Sequence, residues 1–210
     1  MIKFFSVVVM LTAILFVGHG ESKAWALDDV EKQQNMQQMK EKVVPLNTEE
    51  RFFYSEFVKR LSTVAEQGDV QASSLLGGMY YEGKVIPQDY AKAFKWYLKA
   101  VEQGSVKDQA MIGVMYYDGK GVPQDYAEAF KWYRKVAEQG NVKAQSMLGA
   151  MYYQGKGIPQ DFAEAYFWFN LATASGVTNI AKLRDRAAKK LSNETLRKVQ
   201  QRASNWQPKK

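Results

Sequence analysis

Shifted against itself by 36 residues, the chain comes back into phase. Trp96, Trp132 and Trp168 coincide, as do Pro87, Pro123 and Pro159, and Asp89, Asp125 and Asp161. Gly68, Gly104, Gly140 and Gly176 form a fourth series. Residues 105–140 and 141–176 share 19 identities in 36 positions. A fixed period of this length specifies a stack of like units, each packing on its neighbours in sequence, rather than one globular core.

Each unit reads as two helices. In the second, Met111, Ile112, Met115 and Tyr116 recur at i, i+1, i+4, i+5 on a first helix, which Gly119-Lys120-Gly121 ends. Pro123-Gln124-Asp125 opens the next helix, with Asp125 as N-cap and Glu128 three residues on, the spacing of a capping box. Asp161 and Glu164 repeat it, whereas Asp89 is followed by Lys92. The second helix carries Ala129, Phe130, Trp132, Tyr133 and Val136 and ends near Gly140. Gly77, Gly113 and Gly149 fall inside the first helices, where glycine costs ~1 kcal/mol against alanine. That repeated cost points to close backbone approach between helices. Trp96, Trp132 and Trp168 stand at helical spacing beside Ala93, Ala129 and Ala165, with Phe94, Phe130 and Tyr166, as core residues.

The pattern A-x-x-x-L-G-x-x-Y-x-x-G-K-G-V-P-Q-D-x-x-x-A-x-x-W-Y-x-x-A-x-x-x-G resembles the Sel-one-like repeat (SLR) family, relatives of the tetratricopeptide repeats. Three full units carry it, 71–104, 107–140 and 143–176 within 71–176. Residues 48–70 read as a preceding half-repeat helix with Phe57, Leu61 and Ala65, and 177–206 as closing helices with Leu183-Arg184-Asp185 and a cap at Ser192, before a tail, 207–210. Two positions depart from the pattern: Val85 in place of the loop glycine, and Asp108 where Ala72 and Ala144 are small. The resemblance implies an all-α, right-handed superhelical solenoid of antiparallel helix pairs that works as a binding scaffold. It also implies export to the bacterial envelope and a role in assembly, signalling or host interaction.

Composition removes most enzyme classes. There is no cysteine and one histidine, His19. That histidine lies in a segment with the marks of a secretory signal, 1–26: Lys3, an apolar run from Phe4 to Val17, and Ala24-Trp25-Ala26 before Leu27. Cleavage after Ala26 leaves a chain without Cys or His, hence without a Ser–His–Asp triad or a His or Cys zinc site. The expected location is the periplasm or the exterior. The apolar run is shorter than the ~20 residues of a membrane span, and no later stretch is apolar enough to replace it. Residues 27–47 form a polar linker or a weakly amphipathic helix. No serine begins the Ser-x-x-Lys spacing that a β-lactam hydrolase needs. Asp89, Asp125 and Asp161 are explained as caps, and no acidic loop has the density of a magnesium or calcium site. The expectation is a non-catalytic protein with no cofactor and no metal.

Charge gathers at one end: residues 177–210 hold 10 basic and 2 acidic side chains. This reads as a solvated outer face on a closing helix, and nucleic acid is not expected as a partner. The partner classes left are a protein or peptide segment and, as an alternative, cell-wall glycan.

In arrays of this family the first helices line the concave side. Their packed positions (Ala144, Leu148, Gly149 and Tyr152 in the third unit) leave a second stripe at i, i+4, i+7. It comprises Ser74, Gly78 and Tyr81; Ala110, Val114 and Tyr117; and Ser146, Ala150 and Tyr153, with Lys107 and Lys143 one turn earlier. The expected groove has a floor of small residues and a ladder of three tyrosines. The rival expectation is that the tyrosines pack on the adjacent unit.

Overall fold

The computed structural model describes residues 48–176 and 178–209. The expected signal segment, with Ala24, Ala26 and Leu27, and the linker 27–47 lie outside the described residues. Among those described there are nine α-helices, one 3-10 turn (Thr178–Ile180) and no strand. The helices are α1 (Thr48–Glu66), α2 (Val70–Glu82), α3 (Tyr90–Glu102), α4 (Val106–Asp118), α5 (Tyr126–Glu138), α6 (Val142–Gln154), α7 (Phe162–Ala174), α8 (Ala181–Ala188) and α9 (Asn193–Ser204). From α2 to α7 each packs on the helix before and after it in the chain; α8 packs on α7, and α9 returns to pack on α7 as well. The result is an all-α solenoid in which α2–α3, α4–α5 and α6–α7 are the antiparallel pairs.

One loop design closes every pair. Gly119, at φ +69°, ends α4 in a left-handed conformation that suits a residue without a Cβ. The chain then folds back over the helix end. Gln124 Nε2 donates to the Tyr117 carbonyl at 2.8 Å, and the Asp125 N–H donates to the Tyr116 carbonyl at 2.9 Å. Asp125 Oδ1 accepts from the N–H groups of Ala127 and Glu128 at 2.9 and 3.0 Å, capping α5. Gln88 and Gln160 clasp the Tyr81 and Tyr153 carbonyls in the same way. The capping box expected from Asp125 and Glu128 is therefore only half made. Its reciprocal donor, the aspartate N–H, is spent on the preceding helix, and Glu128 pairs with Lys131 instead. The same holds at Asp89, whose N–H donates to Tyr80 at 2.9 Å, so Lys92 replaces no contact.

The helix glycines serve a different purpose from the backbone approach expected of them. A Cβ on Gly77 would lie 2.7 Å from the Tyr97 ring, on Gly113 3.2 Å from the Tyr133 ring, and on Gly149 2.7 Å from the Phe169 ring. Each glycine is a socket for one aromatic ring of the second helix in its own unit. Backbone does meet backbone between units, but in the loops: a Cβ on Gly121 would overlap the Tyr90 carbonyl, and one on Gly157 the Tyr126 carbonyl. Val85 stands at the equivalent place in the first unit. The helix before it, α1, begins at Thr48, six residues earlier than one period before Tyr90, so this junction is not built like the later two.

The core is a series of layers. Ala65, Ala72 and Leu76 form the first, Ala93, Tyr97, Ile112 and Met115 the second, and a larger cluster spans α5 to α9. Half-buried Tyr80 joins the first two and Tyr116 the second and third. Burying each large side chain in these layers stabilises the stack by roughly 1.5–3 kcal/mol. Of the expected core tryptophans, Trp168 is 5% exposed, whereas Trp96 and Trp132 are half-buried with Lys99 and Lys135 over their rings.

Candidate functional site

The stripe expected to form a groove lies on α2, α4 and α6. Its nine residues, from Ser74 to Tyr153, are all half-buried, while Ala72, Leu76, Ile112, Ala144 and Leu148 of the same helices are buried. Lys107 and Lys143 are exposed. Between the tyrosines the stripe carries short side chains, Gly78, Ala110, Val114 and Ala150, with Ser146 turned back to the Val142 carbonyl at 3.0 Å.

Each tyrosine of the ladder leans edge-on against the first residue of the second helix in its own unit. Tyr81 meets Tyr90 at 5.3 Å between ring centroids, Tyr117 meets Tyr126 at 5.0 Å, and Tyr153 meets Phe162 at 5.4 Å. A lysine from the next unit's loop then closes over two of these pairs. Lys120 Nζ donates to the Tyr81 hydroxyl at 3.1 Å and lies over the Tyr81 and Tyr90 rings at 5.3 and 5.6 Å. Lys156 Nζ donates to the Tyr117 hydroxyl at 3.1 Å and lies 5.1 Å from the centroids of both Tyr117 and Tyr126. For Lys156 the tyrosine hydrogen bond, more than its slight desolvation, holds the ammonium above the ordinary lysine range. For Lys120 burial opposes the charge, but bonds to Tyr81 and Asp118 outweigh it and the group is again raised. Both therefore stay charged at neutral pH, as the cation–π geometry needs. The first two rungs, Tyr81 and Tyr117, are thus fixed to their own unit and to the next.

Neither lysine stands out in the sequence, where each reads as the middle of a Gly-Lys-Gly turn. Their in-phase recurrence with Lys84 is the signal that marks them. Lys84 itself pairs with Glu82 at 3.0 Å.

Asp108 links the first two units. It is 2% exposed, and its Oδ2 accepts from the Ser105 hydroxyl at 2.6 Å and from the Ser74 hydroxyl. The departure from a small residue is thus matched by two hydroxyl donors, one on α2 and one at the start of α4. Ser74 offers its hydroxyl to Asp108 and not to the groove.

Burial pushes the phenols of Tyr97 and Tyr133, which plug the glycine sockets, above the ordinary tyrosine range. Among the described residues no group of three His, Cys, Asp or Glu side chains could hold a metal ion, and no helix is long and apolar enough to cross a membrane. The arrangement offers surface, hydrogen-bond acceptors and fixed positive charge.

Comparison with known proteins agrees with this geometry. The family model described as Sel1 repeat matches residues 70–105, 106–141 and 142–177, together just over half of the chain. Among solved structures, the chain is similar to a protective antigen present in uropathogenic Escherichia coli strains displaying an SLR fold. Identity there is 40% and the TM-score 0.54, over 57% of this chain and 26% of the antigen. It is also similar to a Sel1 repeat protein from Oxalobacter formigenes, at 34% identity and a TM-score of 0.54, over 60% of this chain and 37% of that one. The chain thus spans well under half the length of either. No curated protein matches it. Proteins built from this repeat generally mediate protein–protein interaction and are typically non-catalytic scaffolds. With three in-phase glycine sockets, three capped loops and three matched segments, the chain belongs to the Sel1 repeat family.

Proposed function

We propose that the chain is a non-catalytic adaptor of the bacterial envelope or exterior, and that it binds a peptide or protein segment along the stripe of α2, α4 and α6. The observation that carries this reading is the tyrosine ladder of three successive units, its first two rungs fixed by lysine, beside small, half-buried residues. Tyrosine gives a large contact area at low entropic cost, and a rung already held by lysine loses little freedom on binding. Lys107 and Lys143 on the same side favour a segment with acidic groups. The export half of the reading rests on the sequence alone, on Lys3, the apolar run and Ala24-Trp25-Ala26.

Two substitutions fill the floor without cutting the core, Ala110→Trp and Ser146→Trp. The wild-type chain should recover a crosslinked protein from an envelope fraction, and both variants should lose it while melting near wild type. Equal recovery by all three would overturn the groove. Co-sedimentation with purified wall material, with no protein recovered, would move the function to glycan binding. Mass spectrometry of the native protein should show an N-terminus at Leu27; a chain that keeps Met1 removes the envelope from the proposal.

A further inference from the structure

Three positions on each second helix are buried: the middle one fills the glycine socket of its own unit, and in the first unit Ala93 and Tyr97 also share a cluster with Ile112 and Met115 of the next. Ala93, Ala129 and Ala165 are each 0% exposed; Tyr97, Tyr133 and Phe169 are 6%, 2% and 1% exposed; Ala100, Val136 and Ala172 are 0%, 1% and 0% exposed. One period earlier the same positions on α1 are Phe57, Leu61 and Val64. There Phe57 is 36% and Val64 43% exposed, with Phe53 at 57% on the same stripe and Leu75 of α2 at 41% beside it. Among the described residues, the first half-unit therefore leaves Phe57 and Val64 open where every complete unit is sealed, while half-buried Leu61 packs on Ala65, Ala72 and Leu76.

The chemistry of that face says what fits it. Alanine at the first position lets a glycine-bearing helix come close; Phe57 in its place holds such a helix off. Position 41, one period before Gly77, is glutamate. Phe53, Phe57, Arg60 and Val64 are spaced i, i+4, i+7, i+11, the seam of a two-helix coiled coil. Laid antiparallel on itself, this stripe sets Phe53 opposite Val64 and Phe57 opposite Arg60. Glu56, on the flank beside Arg60, then meets the second copy's arginine on both sides of the axis. The C-terminal end shows the same chemistry within one chain, where Arg202 lies 3.8 Å over the Phe167 ring and bonds Glu164 at 2.6 Å.

We propose that α1 is the interface of a homodimer, in which the α1 helices of two copies pair antiparallel about a two-fold axis with reciprocal Glu56–Arg60 ion pairs. Three apolar side chains per copy place it at the small, reversible end of protein interfaces, with dissociation in the micromolar range, on the order of 1–100 μM.

The chain has no cysteine, so introduced thiols report without interference. The full chain at about 200 μM should show a weight-average mass between about 1.6 and 2 times the monomer's by light scattering and dissociate on dilution. A mixture of Phe53→Cys and Val64→Cys chains should oxidise mainly to the mixed disulfide. Glu56→Arg alone and Arg60→Glu alone should each weaken dimerisation about tenfold, and the double exchange should restore it. A monomer at every concentration overturns the proposal. So does a Phe53→Cys chain that crosslinks to a second copy of itself in preference to the Val64→Cys chain, which would mean parallel helices. Failure of the double exchange to restore the dimer overturns the ion pairs and the register with them. Introduced thiols that resist modification in a monomeric chain would show the face covered from within, which also overturns it. Loss of the groove partner leaves all of these readings unchanged.

Discussion

The two ends of the array begin from the same repeated surface and finish differently. At the C-terminus α7 is buried nearly all round: Tyr166, Phe167, Trp168, Phe169 and Leu171 are each at most 8% exposed. Two helices outside the repeat do this, presenting Ala187, Val199 and Ala203 inward, while Trp206 meets Trp168 edge-on at 6.5 Å. Their outer side carries Lys182, Arg186, Lys189, Lys190 and Arg197, all exposed. At the N-terminus α1 shows Phe53, Phe57 and Val64 to solvent. A unit that buries its faces only against neighbours always leaves two unmatched faces, and a chain either caps such a face with non-repeating sequence or uses it. Among the described residues the C-terminal face is capped and the N-terminal one is not, which is what the proposed dimer uses.

The largest test of that contrast is a pair of truncations in the two faces. Trp168→Ala should lower stability by about 3 kcal/mol, the low end for a buried tryptophan, because the indole Nε1 has no hydrogen-bond partner to lose. Phe53→Ala, measured in dilute monomer, should stay within about 0.5 kcal/mol of wild type. Thermal melts of both at submicromolar concentration decide it. Equal losses would mean that α1 is as firmly covered as α7 and would dissolve the contrast.

Next comes the junction between units. Gly121→Val should cost about 2–4 kcal/mol, since φ +77° strains a β-branched residue and its Cβ overlaps the Tyr90 carbonyl. Val85→Gly, the reverse change one unit earlier, should cost less than about 1 kcal/mol. If Val85→Gly proves the more damaging, the first junction is as tightly built as the later ones, and the open N-terminal end has been drawn one unit too far.

These pairs also show what can be read without coordinates. The period, the two-helix unit and the capping aspartates are legible because they rest on local rules: apolar spacing, the fixed φ of proline, the affinity of a carboxylate for free N–H groups. The glycine sockets are legible as positions but not as contacts, because a glycine in a helix does not say whether backbone or ring fills the space it leaves. The half-made capping box escapes sequence reasoning for a related reason. The N–H that Glu128 would take in a full box is claimed by Tyr116 nine residues earlier, through a loop whose path only three dimensions reveal. Lys120 reaching Tyr81 is a contact 39 residues apart in sequence, set by how units stack. Asp108 looks like a misfit in the repeat only because its donors, Ser74 and Ser105, sit on different elements.

A smaller effect sharpens the comparison along the ladder. Lys156→Met removes a charge that serves Tyr117 and Tyr126 and should cost about 0.5–1 kcal/mol. Lys84→Met, at the open end, breaks only the exposed pair with Glu82 and should be nearly silent. Chemical denaturation at low salt resolves the two. Equal effects would show that the loop lysines act locally, not as ties between units.

The smallest effect lies at the last residues of the cap. Lys209 Nζ reaches Glu138 at 2.6 Å, and the Lys209 N–H donates to the Glu138 carbonyl at 2.8 Å, so the tail is tied to the end of α5 twice. Lys209→Ala keeps the backbone tie and removes the ion pair, which is largely exposed on the lysine side and worth at most about 1 kcal/mol. Burial raises the Glu138 pKa, but bonds from Lys209 and Arg134 more than offset it, leaving the group below its ordinary 4.5. A depressed carboxylate contributes stability that is fully present above the unfolded-state value and fades as pH falls through the folded one. The gap in melting temperature between wild type and Lys209→Ala should therefore be steady from pH 7 to about 5 and shrink below 4.5, vanishing once Glu138 is protonated. A gap that persisted into strong acid would assign the effect of Lys209 to packing of its stem, and the C-terminal cap would then be held by apolar contacts alone.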